Sequence, residues 1–263
     1  MLIHTAAVAL LGAVMTNANT GEPPAGVTLH EITADGVTMD YAVYRSPHLE
    51  PGQPAPALVF LHGYGECGTD GQRHLNVGLM PAVNWESARW PFVIVMPQKP
   101  EFNTEWEDFE PQVLAALDAA IEAQNIDPER IAITGLSQGG HGTIAFASRH
   151  PDRFAAAAPV CGYTERRFSE RGERLGDEGA GEDDDAVTEA AEALAGTPVW
   201  LFHGGLDDVV PPSESRALHA ALEARGADVR LTVYEDKNHN SWDAADGIGE
   251  LAEWLRARLG VED

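Results

Sequence analysis

The sequence predicts an α/β protein with a doubly wound, mostly parallel sheet and an antiparallel N-terminal edge. The main observation is a series of short, nearly continuous apolar runs in the centre of the chain, a pattern typical of strands buried on both faces. Helix-like segments separate these runs, and strands that alternate with helices form parallel sheets covered on both sides. Two alternating runs near the N-terminus predict the antiparallel edge.

The antiparallel edge is predicted from residues 27–33 and 37–45. Apolar and polar residues alternate in both runs, and Asp35-Gly36 lies between them. This combination is typical of a β-hairpin with a tight turn.

The parallel part of the sheet is predicted from five central apolar runs and one later run. In chain order these runs are residues 57–62, 92–96, 131–134, 154–160, 199–203 and 229–234. The predicted helices are residues 111–124, 138–149, 213–225 and 249–259. Residues 21–263 are therefore expected to form a single domain.

One interval, residues 165–192, does not fit this alternation of strands and helices. It contains eleven acidic and four basic residues, together with four glycines. A packed strand or core helix of that charge density would bury unpaired carboxylates, so we predict a solvated excursion. It is either a flexible loop or lid over a functional site, or a plain surface insertion.

The charge of the chain excludes some classes of partner. It carries 17 basic residues against 42 acidic ones, a formal net charge of −25, and its lysines are Lys99 and Lys237. Such a surface repels polyanions, so we expect no nucleic-acid partner and no anionic-membrane partner. The acidic residues indicate a strongly hydrated surface.

Residues 1–20 resemble a secretory signal peptide. An apolar stretch at residues 6–15 is followed by small and polar residues, with a cleavage position after Ala18. The stretch is too short to span a bilayer, so stable membrane insertion is not expected. The prediction is a secreted or periplasmic protein; the alternative, suggested by the lack of Lys and Arg in residues 1–5, is a frayed or mis-started N-terminus.

The cysteine content allows one disulfide at most. The chain has two cysteines, Cys67 and Cys161. This number excludes a disulfide-rich scaffold and a cysteine-based zinc site. A bridge between the two and a pair of free thiols both remain open from the sequence.

The motif with the clearest chemistry is Gly-Leu-Ser-Gln-Gly at residues 135–139. It lies between a predicted buried strand and a predicted helix, where a G-x-S-x-G segment forms a sharp turn. Glycines on both sides of Ser137 relieve crowding in that turn. Such a turn lifts the serine hydroxyl clear of the sheet, as a nucleophile requires.

A serine hydroxyl needs a neighbouring base, and that base needs an orienting acid. Asp207 and Asp208 follow one later strand, and His239 follows the next. Loops that leave the carboxyl ends of parallel strands gather on one rim of the sheet, so these side chains are expected to meet Ser137 there. The chain order Ser, Asp, His is that of α/β-hydrolases.

An oxyanion hole is expected beside Ser137. Its donors would be the backbone N–H groups of Gln138 and of Tyr64, which lies in a glycine-containing loop after the first central strand. We expect Glu66 to lie at the pocket and to fix this loop by hydrogen bonding. Trp106 and Trp242 are candidate pocket residues, with core or rim packing as the alternative.

Several blocks of the sequence together resemble a known family. The blocks are LHGYGE (61–66), MPQ (96–98), DPERI (127–131), GLSQGG (135–140), HPDRF (150–154), PVCG (159–162), HGGLD (203–207) and HNSW (239–242). The chain resembles secreted or cell-envelope α/β-hydrolases of the carboxylesterase and predicted-peptidase type, related to polyhydroxybutyrate depolymerase-like esterases. The resemblance covers most of residues 57–259, and it departs from the family in the longer interval 165–192.

The resemblance implies the α/β-hydrolase fold and hydrolysis of esters through an acyl-enzyme. Ser137 would be the nucleophile, Asp207 rather than Asp208 the orienting acid, and His239 the base. We expect no cofactor and no metal, and a small-molecule or polymer ester as substrate. A short-chain ester is favoured because no separate gating domain is visible.

Two other functions remain open from the sequence. A peptidase or amidase would use the same residues, and a non-catalytic binding protein would share the fold. The presence of serine, histidine and acid in the expected order disfavours the second.

Overall fold

A computed structural model describes residues 22–175, 185–247 and 249–261. Within these residues, eight strands form one sheet: β1 (Gly26–Ala34), β2 (Val37–Arg45), β3 (Ala55–Leu61), β4 (Val93–Pro97), β5 (Ile126–Leu136), β6 (Ala156–Val160), β7 (Val199–Gly204) and β8 (Val229–Tyr234). The helices are α1 (Leu79–Trp85), α2 (Glu110–Gln124), α3 (Gln138–Arg149), α4 (Asp185–Leu194), α5 (Ser213–Ala224), α6 (Trp242–Gly247) and α7 (Glu250–Arg258).

The sheet has the order β1-β2-β4-β3-β5-β6-β7-β8. β1 pairs with β2, and β2 with β4, in antiparallel register, whereas every pairing from β4 to β8 is parallel. Asp35 and Gly36 both have positive φ, as a two-residue type I′ hairpin turn requires. The predicted fold class, including its antiparallel N-terminal edge, is confirmed.

Helices cover both faces of the sheet. Alternate residues along β3 belong to opposite core clusters: Val59 faces the cluster that contains α2, α3 and α5, and Leu58 and Phe60 face the one with α1, α6 and α7. A central strand of this kind must be apolar at every position. This is why β3 was readable as a continuous apolar run.

The interval 165–192 corrects part of the sequence analysis. Helix α4 lies at its C-terminal end, where no packed helix was expected, and Val187, Ala191 and Leu194 are fully buried. Their spacing of four and three residues puts them on one face, which leaves the acidic side chains on the other. A narrow apolar stripe is therefore enough to pack this helix against the core, although most of its residues are acidic or alanine.

Some predictions fall outside the described residues. The predicted signal peptide, residues 1–20, lies there, and so does the acidic run of residues 182–184. Among the helices that the structure describes, none has the length and apolar character needed to cross a membrane.

Cys67 and Cys161 are both buried free thiols rather than a disulfide.

Candidate active site

Ser137 lies at a sharp turn between β5 and α3. Its φ of 55° is positive, which is strained for a residue with a side chain. A Cβ atom at Gly139 would lie 1.9 Å from the carbonyl oxygen of Leu61, and one at Gly135 would lie 2.5 Å from the same oxygen. Both glycines are therefore required by the close approach of backbone to backbone, which holds the turn against the end of β3.

A continuous hydrogen-bonded row joins Ser137, His239 and Asp207. His239 Nε2 lies 2.9 Å from Ser137 Oγ, and His239 Nδ1 lies 2.7 Å from Asp207 Oδ2. Because an ionised carboxylate only accepts hydrogen bonds, Nδ1 carries a proton and donates a hydrogen bond to Asp207. Nε2 is then free to accept the hydrogen of the serine hydroxyl.

The structure separates the two candidate acids. Asp207 is buried and bound to His239, whereas Asp208 is exposed. Burial by itself would raise the pKa of Asp207, but hydrogen bonds from His203 and His239 and from the N–H groups of Val209 and Val210 outweigh burial and lower the pKa. The carboxylate is therefore ionised throughout the neutral range.

The two residues predicted to supply the oxyanion donors, Tyr64 and Gln138, line the same cavity as Ser137. Tyr64 and Gln138 are each the first residue of a helical segment, so their N–H groups have no carbonyl partner within that segment. Gly63 brings the two loops together, since a Cβ atom there would lie 3.5 Å from the Cβ of Ser137. Both N–H groups are thus available to an oxyanion near Ser137.

Glu66 holds the oxyanion loop, as expected from the sequence. Its carboxylate accepts hydrogen bonds from the N–H groups of Gly63 and of Glu66 itself. Burial raises the pKa of Glu66, and these hydrogen bonds oppose the rise. Placing Glu66 in the pocket is wrong, because Glu66 shapes the loop that carries Tyr64 and is absent from the residues that line the cavity beside Ser137.

The two predicted pocket tryptophans differ in position. Placing Trp106 in the pocket is wrong, because its side chain is fully buried and its Nε1 donates to the carbonyl of His62. Trp106 supports the oxyanion loop from beneath. Trp242 lies edge-on to the ring of His239, with centroids 5.6 Å apart, and so packs beside the base rather than in the cavity.

A cavity of about 370 Å³ opens beside Ser137. Residues 166–175 of the acidic interval form one wall, with Arg167 and Phe168 lining the space. Tyr64 supplies part of another wall and stacks on Phe168 at a centroid distance of 5.9 Å. The first part of the interval therefore covers the site.

Glu105 is a residue of this site that the sequence analysis missed. It is fully buried, and its carboxylate accepts hydrogen bonds from the Gln138 side chain, the Tyr163 hydroxyl and the backbone N–H groups of Arg167 and Phe168. It thus connects the residue after the nucleophile to the wall of the cavity. The available signal was a helix capping pattern, Glu105 followed by Asp108 three residues later.

We expect Glu105→Gln to lower both stability and turnover. An amide cannot accept as many hydrogen bonds as a carboxylate, so buried N–H donors lose their acceptor, at a cost of about 1–3 kcal/mol in the free energy of unfolding. Loosening of Gln138 should lower kcat for an ester by about tenfold or more, with little change in KM.

The matched control for this prediction is Glu101→Gln, an exposed acid four residues earlier. Urea unfolding and steady-state kinetics on both variants measure the two effects. A loss of stability with an unchanged kcat would show that Glu105 supports the fold without positioning Gln138.

A buried ion pair lies beside Glu105. His141 stacks on Tyr163 and contacts Glu107 at 3.1 Å. Burial alone would lower the pKa of His141, but the negative charge and hydrogen bond of Glu107 raise it to about 9. His141 is therefore a charged, structural histidine and not a second base for Ser137.

Two groups of side chains in the described residues have the donor atoms of a metal site. They are Cys161, Asp207 and His239 in one group and Glu105, Glu107 and His141 in the other. In each group the histidine is already hydrogen-bonded to a carboxylate. In the first group this hydrogen bond orients His239 for proton transfer, and in the second it forms the ion pair of His141 with Glu107.

Asp246, in α6 just after the His239 loop, is buried. Burial raises its pKa to about 8, and the charge of Asp243 adds to the rise. The folded-state pKa lies above the unfolded value of about 4, so the stability present below pH ~4 is lost as the pH rises towards 8.

We therefore expect Asp246→Asn to gain stability over the natural protein as the pH rises. The difference in unfolding free energy should grow in favour of the variant by about 3 kcal/mol between pH 5 and pH 8. Urea unfolding at both pH values measures it, and the pH 5 comparison serves as the internal reference. A difference that does not change with pH would contradict a neutral Asp246.

The fold and the hydrogen-bonded row define a serine hydrolase of the α/β-hydrolase fold. Residues 103–261 match the Prolyl oligopeptidase family. The match covers more than half of the chain, and the protein belongs to this family.

The relatives include both esterases and peptidases. The chain is 27% identical to esterase YjfP of Escherichia coli, over 68% of this chain and 79% of that protein. It is 26% identical to dipeptidyl-peptidase 5 of Porphyromonas gingivalis, over 79% of this chain but 34% of that protein. It spans about a quarter to a third of the length of the first two curated relatives that it matches.

Solved structures support the same class. A thermostable esterase is 28% identical, with a TM-score of 0.73, over 88% of this chain and 62% of that chain. An acylaminoacyl peptidase has a TM-score of 0.63 at 19% identity, over 89% of this chain and 40% of that chain, which shows the fold alone.

Proposed function

We propose that the protein is a serine esterase that cleaves carboxylic esters through an acyl-enzyme. The observation that carries the proposal is the unbroken row from Ser137 Oγ through His239 to Asp207, with both contacts at hydrogen-bond distance. The row opens to a cavity beside the serine. These are the parts that acyl transfer requires.

In the first half of the reaction, Ser137 Oγ attacks the ester carbonyl. His239 Nε2 takes the hydroxyl proton, and Asp207 stabilises the resulting imidazolium. The N–H groups of Tyr64 and Gln138 bind the negative oxygen of the tetrahedral intermediate. Collapse of that intermediate breaks the bond to the alcohol, which receives its proton from His239.

In the second half, water replaces the alcohol. His239 removes a proton from the water, whose oxygen attacks the acyl carbonyl. Collapse of the second tetrahedral intermediate breaks the bond to Ser137 Oγ, which takes that proton back from His239. The released acid is the second product. No step requires a cofactor.

The relatives support an ester as substrate. Esterase YjfP matches over most of its own length, whereas the matching region is a minor part of the dipeptidyl-peptidase chain. Membership in a family named for a peptidase favours amide hydrolysis as the second candidate. The two candidates share the same residues, so they are separated by substrate and not by the site.

The deciding experiment compares 4-nitrophenyl butyrate with the matching butyryl 4-nitroanilide. We expect turnover of the ester to exceed that of the anilide by several orders of magnitude. Ser137→Ala, purified in parallel, controls for contaminating hydrolases. Turnover of the anilide or of short peptides at a comparable kcat/KM would make the protein a peptidase instead.

A further inference from the structure

The mouth of the catalytic cavity carries an unusual concentration of exposed apolar side chains. Nine large apolar side chains are exposed in the described part of the chain, and five of them lie on the loops around this mouth. We call these five the collar: Tyr64, Phe102, Leu175, Leu206 and Val209. Their exposures range from 40% to 64%.

The collar is connected to the cavity on more than one loop. Tyr64 and Val209 line the cavity directly, and Phe102 packs edge-on against Tyr64 at a centroid distance of 5.1 Å. Leu206 adjoins the catalytic acid loop, and Leu175 is bonded through its N–H to Arg167, another lining residue. Four of the five collar residues thus line the cavity or contact a residue that lines it, and Leu206 lies in the same loop as Val209.

The collar has two separate sides. Tyr64 follows β3 and Leu206 and Val209 follow β7, and these strands lie on either side of β5, which carries the nucleophile. The aromatic side is held in place, since the Tyr64 hydroxyl donates to Asn103 and the Tyr64 ring packs against both Phe102 and Phe168. An apolar chain leaving the cavity would therefore meet ordered apolar surface.

The rest of the surface makes this concentration significant. A chain with a net charge of −25 has a strongly hydrated exterior, and exposed apolar groups that gather at one place on such a surface mark a binding site. The cavity is at the small end of the range for ligand sites. A longer substrate has to continue across the collar.

The position of the base indicates which part of the ester uses this surface. The leaving alcohol must lie near His239, which gives it a proton, and His239 is not among the residues that line the cavity. The acyl group is then the part that enters the cavity. Its distal end is the part that reaches the collar.

We propose that the substrates are single ester molecules with an apolar acyl chain of medium length, whose distal carbons bind to the collar. This inference rests on the proposed esterase function and departs from the short-chain preference that the sequence favoured. Contact with the collar removes part of each methylene group from water. We therefore expect kcat/KM to rise by about twofold for each carbon added to the acyl chain.

The test is a series of 4-nitrophenyl esters from acetate to octanoate, each below its aggregation concentration. We expect kcat/KM to rise by about tenfold or more from butyrate to octanoate. The double variant Phe102→Gln with Leu206→Gln removes one apolar group from each side of the mouth. In that variant the octanoate-to-acetate ratio of kcat/KM should fall by about tenfold.

Trp85→Gln is the matched control, because Trp85 is the most exposed of the nine apolar residues and lies outside the collar. Its octanoate-to-acetate ratio should equal that of the natural protein. A flat series, or a double variant with an unchanged ratio, would overturn the inference while leaving the esterase function intact.

Two further outcomes are informative. A rate that rises only above the aggregation concentration of the ester would show that the enzyme acts on aggregated ester and not on single molecules. That result would refute the proposal as stated. Absence of turnover with every ester, acetate included, would refute the proposed function itself. The two kinds of failure are therefore distinguishable.

Discussion

Ser137→Ala and His239→Ala are each expected to lower ester turnover by about a thousandfold or more. Ser137 Oγ lies 2.9 Å from His239 Nε2, so one residue supplies the nucleophile and the other receives its proton in the same step. Removal of either one abolishes that step. The two substitutions together should therefore cost little more than one alone.

Kinetics of the two single variants and the double variant measure this dependence. Binding of substrate and of the oxyanion remains in all three, which leaves the same residual rate. Circular dichroism and urea unfolding verify that each variant is folded. Losses that multiply in the double variant would contradict a shared proton transfer.

Asp207→Asn is expected to lower turnover far more than Asp208→Asn, by about ten thousandfold. An asparagine amide can donate to His239 Nδ1, which then becomes the acceptor and leaves the proton on Nε2. In that tautomer His239 cannot accept the serine proton. Asp208 is exposed, so its amide variant should retain turnover within about threefold of the natural protein.

The pair of variants is matched in chemistry and differs by one position in the chain. Measurement of kcat/KM for the same ester across pH 5–9 tests both. An equal loss in the two variants would show that the charge of the loop matters rather than the bond to His239. A larger loss in Asp208→Asn would move the acid to Asp208.

Most of the sheet could be predicted from the sequence because buried parallel strands are local apolar runs. The strand at β5 was nevertheless predicted too short, since residues 126–130 contain charged residues and a proline and do not read as buried. Helix α4 was missed because only three of its residues are buried. The acidic residues around them made the segment appear too polar to pack. Local composition therefore does not predict an element whose position depends on a few contacts.

The candidate site divides in the same way. Ser137 and His239 were found because each follows a recognisable strand, and the glycines around Ser137 are needed by its own turn. Glu105 was not found, because its local signal, the capping pattern with Asp108, marks a helix start and does not indicate a role at the site. Export of the chain, from residues 1–20, stays a prediction.

The sequence by itself determined the order of the strands along the chain, four of the seven described helices, the sharp turn at Ser137 and the loops that carry acid and base. The reason is that these features depend on neighbours within a few residues. Only the tertiary structure decided that Trp106 is buried and that Glu105 links the nucleophile helix to the cavity wall. It also places Asp207, the acid that the family resemblance favoured over Asp208, against His239. Those outcomes depend on hydrogen-bond partners that lie 30 or more residues away along the chain, which local pattern does not contain.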